Sequence, residues 1–555
     1  MRADKSWLNT YPKDIPHEID LSENLTLIDV FEESFKKNAS RTAFESFGKS
    51  LRFKELDEAS EQFASFLQFQ GVKKGDRVAL MMPNVMQYPI AIAGTLRCGA
   101  IVVNVNPLYT PRELEHQLKD SGAQTIVILE NFVHVLSAVL SQVPMQNIVV
   151  TTMGELLGIK GMIIDFIVKY VKKLVPTWNL PHYTTFNAAL EVGKQMGFTQ
   201  PVIRHDDIAF LQYTGGTTGV SKGAVLEHRN LVANILQLEA WLKPTIQRKQ
   251  IEQITFICAL PLYHIFALTA CGLFIIRSGG KSILIANPKD ILGLIKTLSK
   301  LSEFHIFPAV NTLFNALMNH PHFSTIDFSS LAVTIGGGMA IQKTVADRWQ
   351  AHTGCPITEG YGLSETSPVA TCNLTTITEF TGHVGLPLPN TEVSIRNNLG
   401  EEVDVNQPGE ICIKGPQVMR QYWHRDDETQ LVMTADGFFK SGDIGFINDA
   451  GYVKIIDRKK DMILVSGFNV YPNEVEEVLS QIPGVLESAV IGINDEHSGS
   501  SVKAFIVKRD PTLSEKQVID FCESNLTNYK RPKTIQFVET LPKSNVGKIL
   551  RKDLR

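Results

Sequence analysis

The stretch Tyr213-Thr214-Gly215-Gly216-Thr217-Thr218-Gly219-Val220-Ser221-Lys222-Gly223 follows the apolar run Ile208 to Leu211. Four glycines in nine positions let the backbone adopt positive φ and come close to an anion. Successive N–H groups in such a turn form a nest, four hydroxyls add donors, and Lys222 adds a charge, so a phosphate is the natural guest. A Walker A loop needs glycine directly before its lysine and Ser or Thr directly after it. Here Ser221 precedes Lys222 and Gly223 follows, which excludes a P-loop motor or kinase. A flexible surface loop rarely combines glycines, threonines and one lysine so densely.

The chain around this loop has 555 residues, enough for about three or four domain-sized units and for a core that needs no disulfide or metal staple. Hydrophobic residues make up 44% and charged residues 20%, which excludes a mainly disordered or fibrous chain. With 54 basic and 58 acidic residues the formal charge is −4, so nothing pulls nucleic acid globally and any anion site must be local. Cysteines at 98, 258, 271, 355, 372, 412 and 522 are odd in number and never spaced Cys-x-x-Cys. That argues for a reducing compartment and against zinc. The polar opening Met1 to Trp7 shows no apolar leader, and no apolar run reaches about 18 residues. The expected location is therefore cytoplasmic.

Val78–Met82, Ile101–Val105 and Thr125–Leu129 read as buried strands. Between the last two, Thr110-Pro111-Arg112-Glu113 is a capping box with proline at the first helical position, predicting a helix to Ser121 stopped by Gly122. This strand–helix–strand rhythm predicts an α/β fold with mainly parallel sheets. The last hundred residues differ. Short strands at Tyr452–Ile456, Asp461–Val465, Val485–Ile491 and Val502–Val507 mix with helices starting at Pro472 and at Ser514-x-x-Gln517, which predicts a separate small α+β domain. The five-charge run Asp457-Arg458-Lys459-Lys460-Asp461 reads either as a linker or as a solvated hairpin turn. Leu156–Val175 is an amphipathic helix with a wide apolar face and Lys169, Lys172 and Lys173 on its polar stripe. It reads either as an interfacial helix drawn to anionic lipid or as a helix packed on the core.

Further glycine-rich and charged motifs follow in order: Gly336-Gly337-Gly338-Met339, Tyr361-Gly362-Leu363-Ser364-Glu365-Thr366, Ser441-Gly442-Asp443, Asp457 to Asp461, and Pro542-Lys543-Ser544-Asn545-Val546-Gly547-Lys548. Together with the loop at 213–223 they resemble the acyl-adenylate-forming superfamily over roughly residues 25 to 555. The run Asp457 to Pro472, with Asp436-Gly437-Phe438-Phe439-Lys440, is similar to the fatty acyl-CoA ligase signature. The opening Trp7 to Pro12 and the helix at 156–175 resemble bacterial long-chain fatty acyl-CoA ligases. Phe438 stands where tryptophan is common in the family, and Gln421, before Tyr422-Trp423, stands where glycine is usual, putting a tight turn there in doubt.

The resemblance implies a large N-terminal domain, 1–456, a hinge at 457–461 and a small mobile C-terminal domain, 462–555. It implies ATP or AMP contacts from Thr214, Gly215, Gly216, Thr217, Thr218, Gly219, Ser221, Lys222, Gly337, Gly338, Tyr361, Gly362, Thr366, Asp443 and Arg458. Tyr361 would lie against adenine, Thr366 would touch the α-phosphate, and Asp443 would accept from both ribose hydroxyls, a task that suits an acceptor-only carboxylate. Glu365 would bind Mg²⁺, which takes hard oxygen ligands. Lys460 would be the pivot, and Gly467 would lie beside the pantetheine tunnel. Lys548 would reach in as a catalytic cation during adenylation, with Lys222, Thr366 and His264 as further catalytic candidates. A lone histidine beside an apolar run is otherwise a satisfied core residue.

The implied reaction joins a fatty acid to CoA at the expense of ATP, through an acyl-AMP, with Mg²⁺ as cofactor. Phe256–Ile276 and Phe304–Phe314 are candidate walls of the acyl pocket. Contact with the inner face of the membrane through 156–175 and a homodimer are further expectations; a nucleic-acid partner is not. The alternatives are another acyl- or aryl-CoA ligase or luciferase-like enzyme of the superfamily, and a membrane-associated lipid-binding protein with a vestigial adenylation site.

Overall fold

In the computed structural model, which describes residues 5–214, 221–495, 499–544 and 547–555, the apolar run before the glycine-rich stretch is the strand Ile208–Thr214. The chain returns antiparallel beside it as Lys222–Glu227. These strands close one edge of a seven-stranded sheet whose other members, including Ile101–Asn104, Arg77–Met81 and Thr125–Leu129, run parallel. The predicted capping box forms: Glu113 accepts from the Thr110 N–H at 2.8 Å, and the helix Pro111–Ser121 ends at Gly122 with φ 65°.

A second sheet, of nine strands among the described residues, runs from Leu386–Pro387 through Ile357–Gly362, Val333–Gly336, Ile306–Ala309 and Thr255–Cys258 to Thr42–Ser46 and Lys49–Arg52. Its inner strands are parallel, as the βαβ rhythm predicts, and antiparallel pairs sit at both ends. The two sheets share one hydrophobic core that includes Phe210, Leu226, Phe256, Phe307 and Trp349. An antiparallel sheet of Glu392–Arg396, Gly409–Lys414, Phe439–Ile447 and Val453–Arg458 carries the chain to the charged run.

Beyond it, Ile463–Val465 and Phe468–Val470 make a hairpin. Val485–Asp495, Gly499–Lys508 and Thr534–Val538 make a third small sheet, packed with the helices Pro472–Ser480 and Glu515–Asn525 around their own core. The strand Thr534–Val538 was not anticipated, although Ile535 and Phe537 alternate with polar neighbours as a half-buried strand requires.

The stretch 156–175 forms the helix Ile159–Phe166, continued as a broader π-helical turn over Ile167–Val171. Only its inner side, including Leu157 and Ile164, packs on the core, and most of its apolar side chains do not. Ile159 is 81% exposed, Met162 72% and Tyr170 62%. Its attachment is narrow: Asp165 accepts from the Thr152 hydroxyl and the Gly154 N–H, and Gly161 lies so close to Gly154 that a Cβ there would stand 1.8 Å from the Gly154 carbonyl oxygen. Gln421 itself is not in a turn; the turn comes just after it, where Arg425 donates to the Tyr422 carbonyl at 3.3 Å and His424 takes φ 52°. Val225 donates to the Gln421 carbonyl at 2.9 Å and Trp423 to that of Gly223 at 2.8 Å, so this segment lies along the strand Lys222–Glu227. Phe438, in the position where tryptophan is common, stacks under the guanidinium of Arg396 at 4.5 Å.

The helix Phe186–Gln195 presses against Phe53–Phe69 through Gly193, where a Cβ would meet the Gln62 carbonyl oxygen at 1.8 Å. Overpacking of this kind costs about 1–3 kcal/mol. Gly193→Ala is therefore expected to lower the urea midpoint of the large domain, read by tryptophan fluorescence, with little change in the slope of the transition.

Candidate active site

The strand Ile357–Gly362 brings Tyr361 to the cleft, and the pair Phe439–Ile447 and Val453–Arg458 places Asp443 directly opposite Arg458. Asp443 is 2% exposed. One of its oxygens accepts from the Tyr361 hydroxyl at 2.6 Å, and the other takes the Arg458 Nε at 2.6 Å. An ionised carboxylate has about four acceptor positions, so two lone pairs stay free for a vicinal diol. Burial works against the charge on Arg458, but Asp443 outweighs it and holds the guanidinium protonated. The Tyr361 phenol is pushed above its usual range by burial and then by Asp443.

Glu365 follows one turn later, in the short helix Ser364–Thr366. It is buried and accepts from the Tyr422 hydroxyl at 2.6 Å, and burial raises its carboxyl above the usual range. A second oxygen stays outside that bond, which is the hard donor a Mg²⁺ ion takes, so the residues present fit the ion. Tyr422 also lies under Lys222, whose ammonium stands 5.3 Å from the ring centre and is paired with Glu428. Thr366 is fully buried. Its hydroxyl accepts from the Leu363 N–H at 2.9 Å and donates to the Pro368 carbonyl, so it is spent on its own turn. The hydroxyl of Ser364, two residues earlier, is half-exposed and makes no hydrogen bond among the described residues.

Lys548 comes to this cleft from the far end of the chain. It sits deep between the domains yet keeps some surface, because it faces the cleft. Burial, with the nearby charges of Arg458, Lys460 and Arg551 and against the pull of Asp443, lowers its pKa to about 8. The Thr312 hydroxyl donates to the Gly547 carbonyl at 3.1 Å, pinning the lysine's loop to the large domain. His264 begins a short helical turn, its Nδ1 accepting from the Phe266 N–H at 3.4 Å. Burial and then the charge of Lys548 bring its pKa down to about 4, so the ring is neutral at pH 7. Lys460 is exposed on the charged run next to Arg458, and partial desolvation and then the charge of Arg458 lower its pKa. Gly467 lies elsewhere, on the exposed hairpin where Phe468 stacks on Tyr529 at 4.7 Å.

The structure thus brings Tyr361, Glu365, Asp443, Arg458, His264 and Lys548 around one cleft. Gly337 lines the same sheet edge, where a Cβ would stand 3.1 Å from the Gly360 carbonyl oxygen and from the Phe266 ring. Gly338 follows with φ 76°, and Gly362 is so close to Pro368 that only a glycine fits. Gly215, Gly216, Thr217, Thr218 and Gly219 lie outside the described residues. The two ends of their loop are held together, the Ser221 hydroxyl donating to the Thr214 carbonyl at 2.6 Å. Sequence reasoning missed Tyr422, Glu428 and Ser364. Ser364 sits beside Glu365 inside a quoted motif and was legible there, whereas the other two reach the cleft only through the pairing of 421–423 with Lys222–Glu227.

Residues 31–423 match the profile of the AMP-binding enzyme family, and 474–548 match that of the AMP-binding enzyme C-terminal domain. A long-chain-fatty-acid–CoA ligase of Escherichia coli O6:H1 is 51% identical over 99% of this chain and 98% of its own length. One from Yersinia pestis is 50% identical over 100% and 98%. Among solved structures, the anthranilate CoA ligase AuaEII in complex with anthranoyl-AMP superposes with a TM-score of 0.84 at 25% identity, over 97% of this chain and 98% of that one.

The environment of Lys548 has a direct readout. Competitive acylation of the native chain across pH, with the modified peptide quantified by mass spectrometry, is expected to give half-maximal labelling of Lys548 near pH 8. In Arg458→Met the midpoint is expected to move upward, because a repelling charge is removed.

Proposed function

The chain belongs to the AMP-binding enzyme family, and from that membership we propose that it is an AMP-forming long-chain fatty acid–CoA ligase. The observation that carries this reading is full-length identity of about half with ligases of that name, on a chain whose cleft gathers the buried carboxylate and cations that a charged nucleotide needs. A fatty carboxylate oxygen attacks the α-phosphorus of ATP; the P–O bond to acyl forms as the bond to the β-phosphate oxygen breaks, releasing diphosphate. The CoA thiol then loses its proton to solvent, its sulfur attacks the acyl carbon, and the C–O bond to AMP breaks, AMP leaving with the electron pair.

The first step is positioning and charge stabilisation. Asp443 takes the ribose hydroxyls, Arg458 supports it, and Tyr361 lies against adenine. Lys222 gives up Glu428 for phosphate. The hydroxyl donor to the α-phosphate comes from the Ser364–Thr366 turn, and Ser364 has the one not already spent. Glu365, with the phosphates, would hold Mg²⁺, which when bound would neutralise part of the developing charge. Lys548 donates to the carboxylate and α-phosphate, and neutral His264 lies beside the same atoms as a contact rather than a proton carrier. The acyl carbon must meet the triphosphate first and the thiol second. Rotation of 462–555 against 1–456 about 457–461, pivoting at Lys460, answers that by exchanging Lys548 for the Gly467 face.

The test is diphosphate release and CoA-thiol consumption from ATP and Mg²⁺ across acids from acetate to oleate plus a hydroxycinnamate. Both products are expected, with the rate highest on long chains. A maximum on the hydroxycinnamate would move the assignment to an aryl ligase, and neither product with any acid would leave a lipid-binding protein. Lys548→Ala is expected to slow diphosphate release about 10²–10³-fold while leaving thioester formation from supplied acyl-AMP near the unmodified rate. Lys548 serves as a cation, and its cationic fraction falls as pH climbs through about 8. The kcat/KM for diphosphate release should therefore fall above that pH, and Lys548→Arg should flatten the fall.

The same reading includes a peripheral contact with anionic membrane through 156–175. It is supported by the exposed apolar row Ile159, Met162, Ile163, Phe166 and Tyr170 beside Lys169, Lys172 and Lys173. No helix among the described residues is long and apolar enough to cross a membrane. Co-sedimentation with phosphatidylglycerol vesicles is expected, and to be lost on replacing the three lysines by glutamine. Unchanged binding would refute the contact.

A further inference from the structure

The segment Cys258 to His264 runs from the end of a strand of the nine-stranded sheet to the ring that faces Lys548. A loop of this kind has little regular structure to hold it. Several of its backbone groups are instead taken by two buried amides, one just past the strand Arg77–Met81 and one on the strand Ile208–Thr214. Asn84, 2% exposed, donates through Nδ2 to the Cys258 carbonyl at 2.9 Å and to the Leu260 carbonyl at 2.8 Å, and its Oδ1 accepts from the Leu262 N–H at 2.8 Å.

Gln212, 3% exposed, donates through Nε2 to the Tyr263 carbonyl at 2.8 Å. Its Oε1 accepts from Asn104 Nδ2 at 3.0 Å, and Asn104 Oδ1 accepts from the Tyr88 hydroxyl at 2.8 Å. The Tyr263 carbonyl can only accept, so the orientation of each amide along this row is forced by its neighbour. Past His264, the Thr269 hydroxyl donates to the Ser367 carbonyl at 2.7 Å, which ties the same segment to the turn carrying Glu365.

Gln212 lies on the strand Ile208–Thr214, which leads into the glycine-rich stretch, and it is the cross-strand partner of Asn104. The single contact from Gln212 to Tyr263 therefore fixes the acyl-side loop against the strand that carries the phosphate-side loop. We propose that Gln212 and Asn84 are positioning residues of the adenylation step, setting the distance between the acyl carboxylate beside His264 and the α-phosphate. This rests on the ligase reading. The thioester step takes place on an acyl-AMP that is already joined, so the register between the two loops matters to the first half-reaction and not to the second. A misplacement near 1 Å costs up to about a hundredfold in rate.

The experiment uses the full chain with ATP, Mg²⁺ and a long-chain acid, measuring single-turnover diphosphate release without CoA and, separately, acyl-CoA formation from supplied acyl-AMP. Gln212→Met removes both hydrogen bonds at nearly constant volume. It is expected to lower the rate of diphosphate release between about tenfold and a hundredfold at saturating acid and ATP, with the thioester half-reaction close to that of the unmodified chain.

Gln212→Glu keeps the acceptor for Asn104 and regains a donor to Tyr263 only when its buried carboxyl is protonated. Its rate of diphosphate release relative to the unmodified chain is therefore expected to rise as pH falls. This second variant carries the decision if the first does not fold. Equal losses in both half-reactions, no loss in either, or a Gln212→Glu profile parallel to the unmodified one overturns the proposal. An unmodified chain that releases no diphosphate with any acid defeats the ligase reading itself, and the positioning role falls with it.

Discussion

Three parts of the molecule meet on the carboxylate of Asp443. It holds Tyr361 from the nine-stranded sheet and Arg458 from the last strand before the small domain, and its charge opposes the loss of the Lys548 proton. A charge this deeply buried is tolerated only when it is paired and hydrogen-bonded. Removing one member of such a pair commonly costs about 3–5 kcal/mol, because the other is stranded. Asp443 is thus both the acceptor suited to a ribose and the counter-ion that lets Arg458 and Lys548 stand close together, so its structural and functional roles cannot be separated.

The charged run that follows continues this arrangement. Asp457 is buried, and burial raises its pKa to about 6, while Arg551 from the end of the chain approaches it at 3.6 Å and pairs with Glu476 at 2.7 Å. Asn473 donates its N–H to Asp457 at 2.8 Å. These bonds bind Asp457 to the residues that follow it and to the end of the chain. Across the cleft, hydrogen bonds such as Thr312 to Gly547 and Asn315 to Leu486 are neutral and separate. The charged contacts of this stretch are thus made mainly within the C-terminal part of the chain, and Lys548 and Asp443 carry the charge that spans the cleft.

Much of this was legible in the sequence because the chemistry sits in short contiguous motifs. A capping box is four residues long, and Thr110 to Glu113 formed as read. The glycine-rich stretch excluded a Walker loop by the order of two residues, Ser221 and Lys222. The helix at 156–175 was readable as amphipathic, but periodicity gives only the direction of an apolar face and not what covers it, and among the described residues the row around Ile159, 81% exposed, stays largely uncovered. The hydroxyl of Thr366 looked free in the motif, and a local turn consumes it.

What the sequence by itself determined is the family, the parallel α/β core with its small C-terminal domain, and the identity of most side chains at the cleft, since each of these depends on local patterns of a few residues. Only the tertiary structure decided which groups face one another. Lys548 lies near Asp443 across about a hundred residues, Tyr422 shares its hydroxyl with Glu365, and Gln212 grips the Tyr263 carbonyl from another sheet. A buried amide or phenol looks like ordinary core in a linear sequence. Its meaning comes from the single partner that folding places within hydrogen-bond range, and a hydrogen bond loses most of its strength within an ångström.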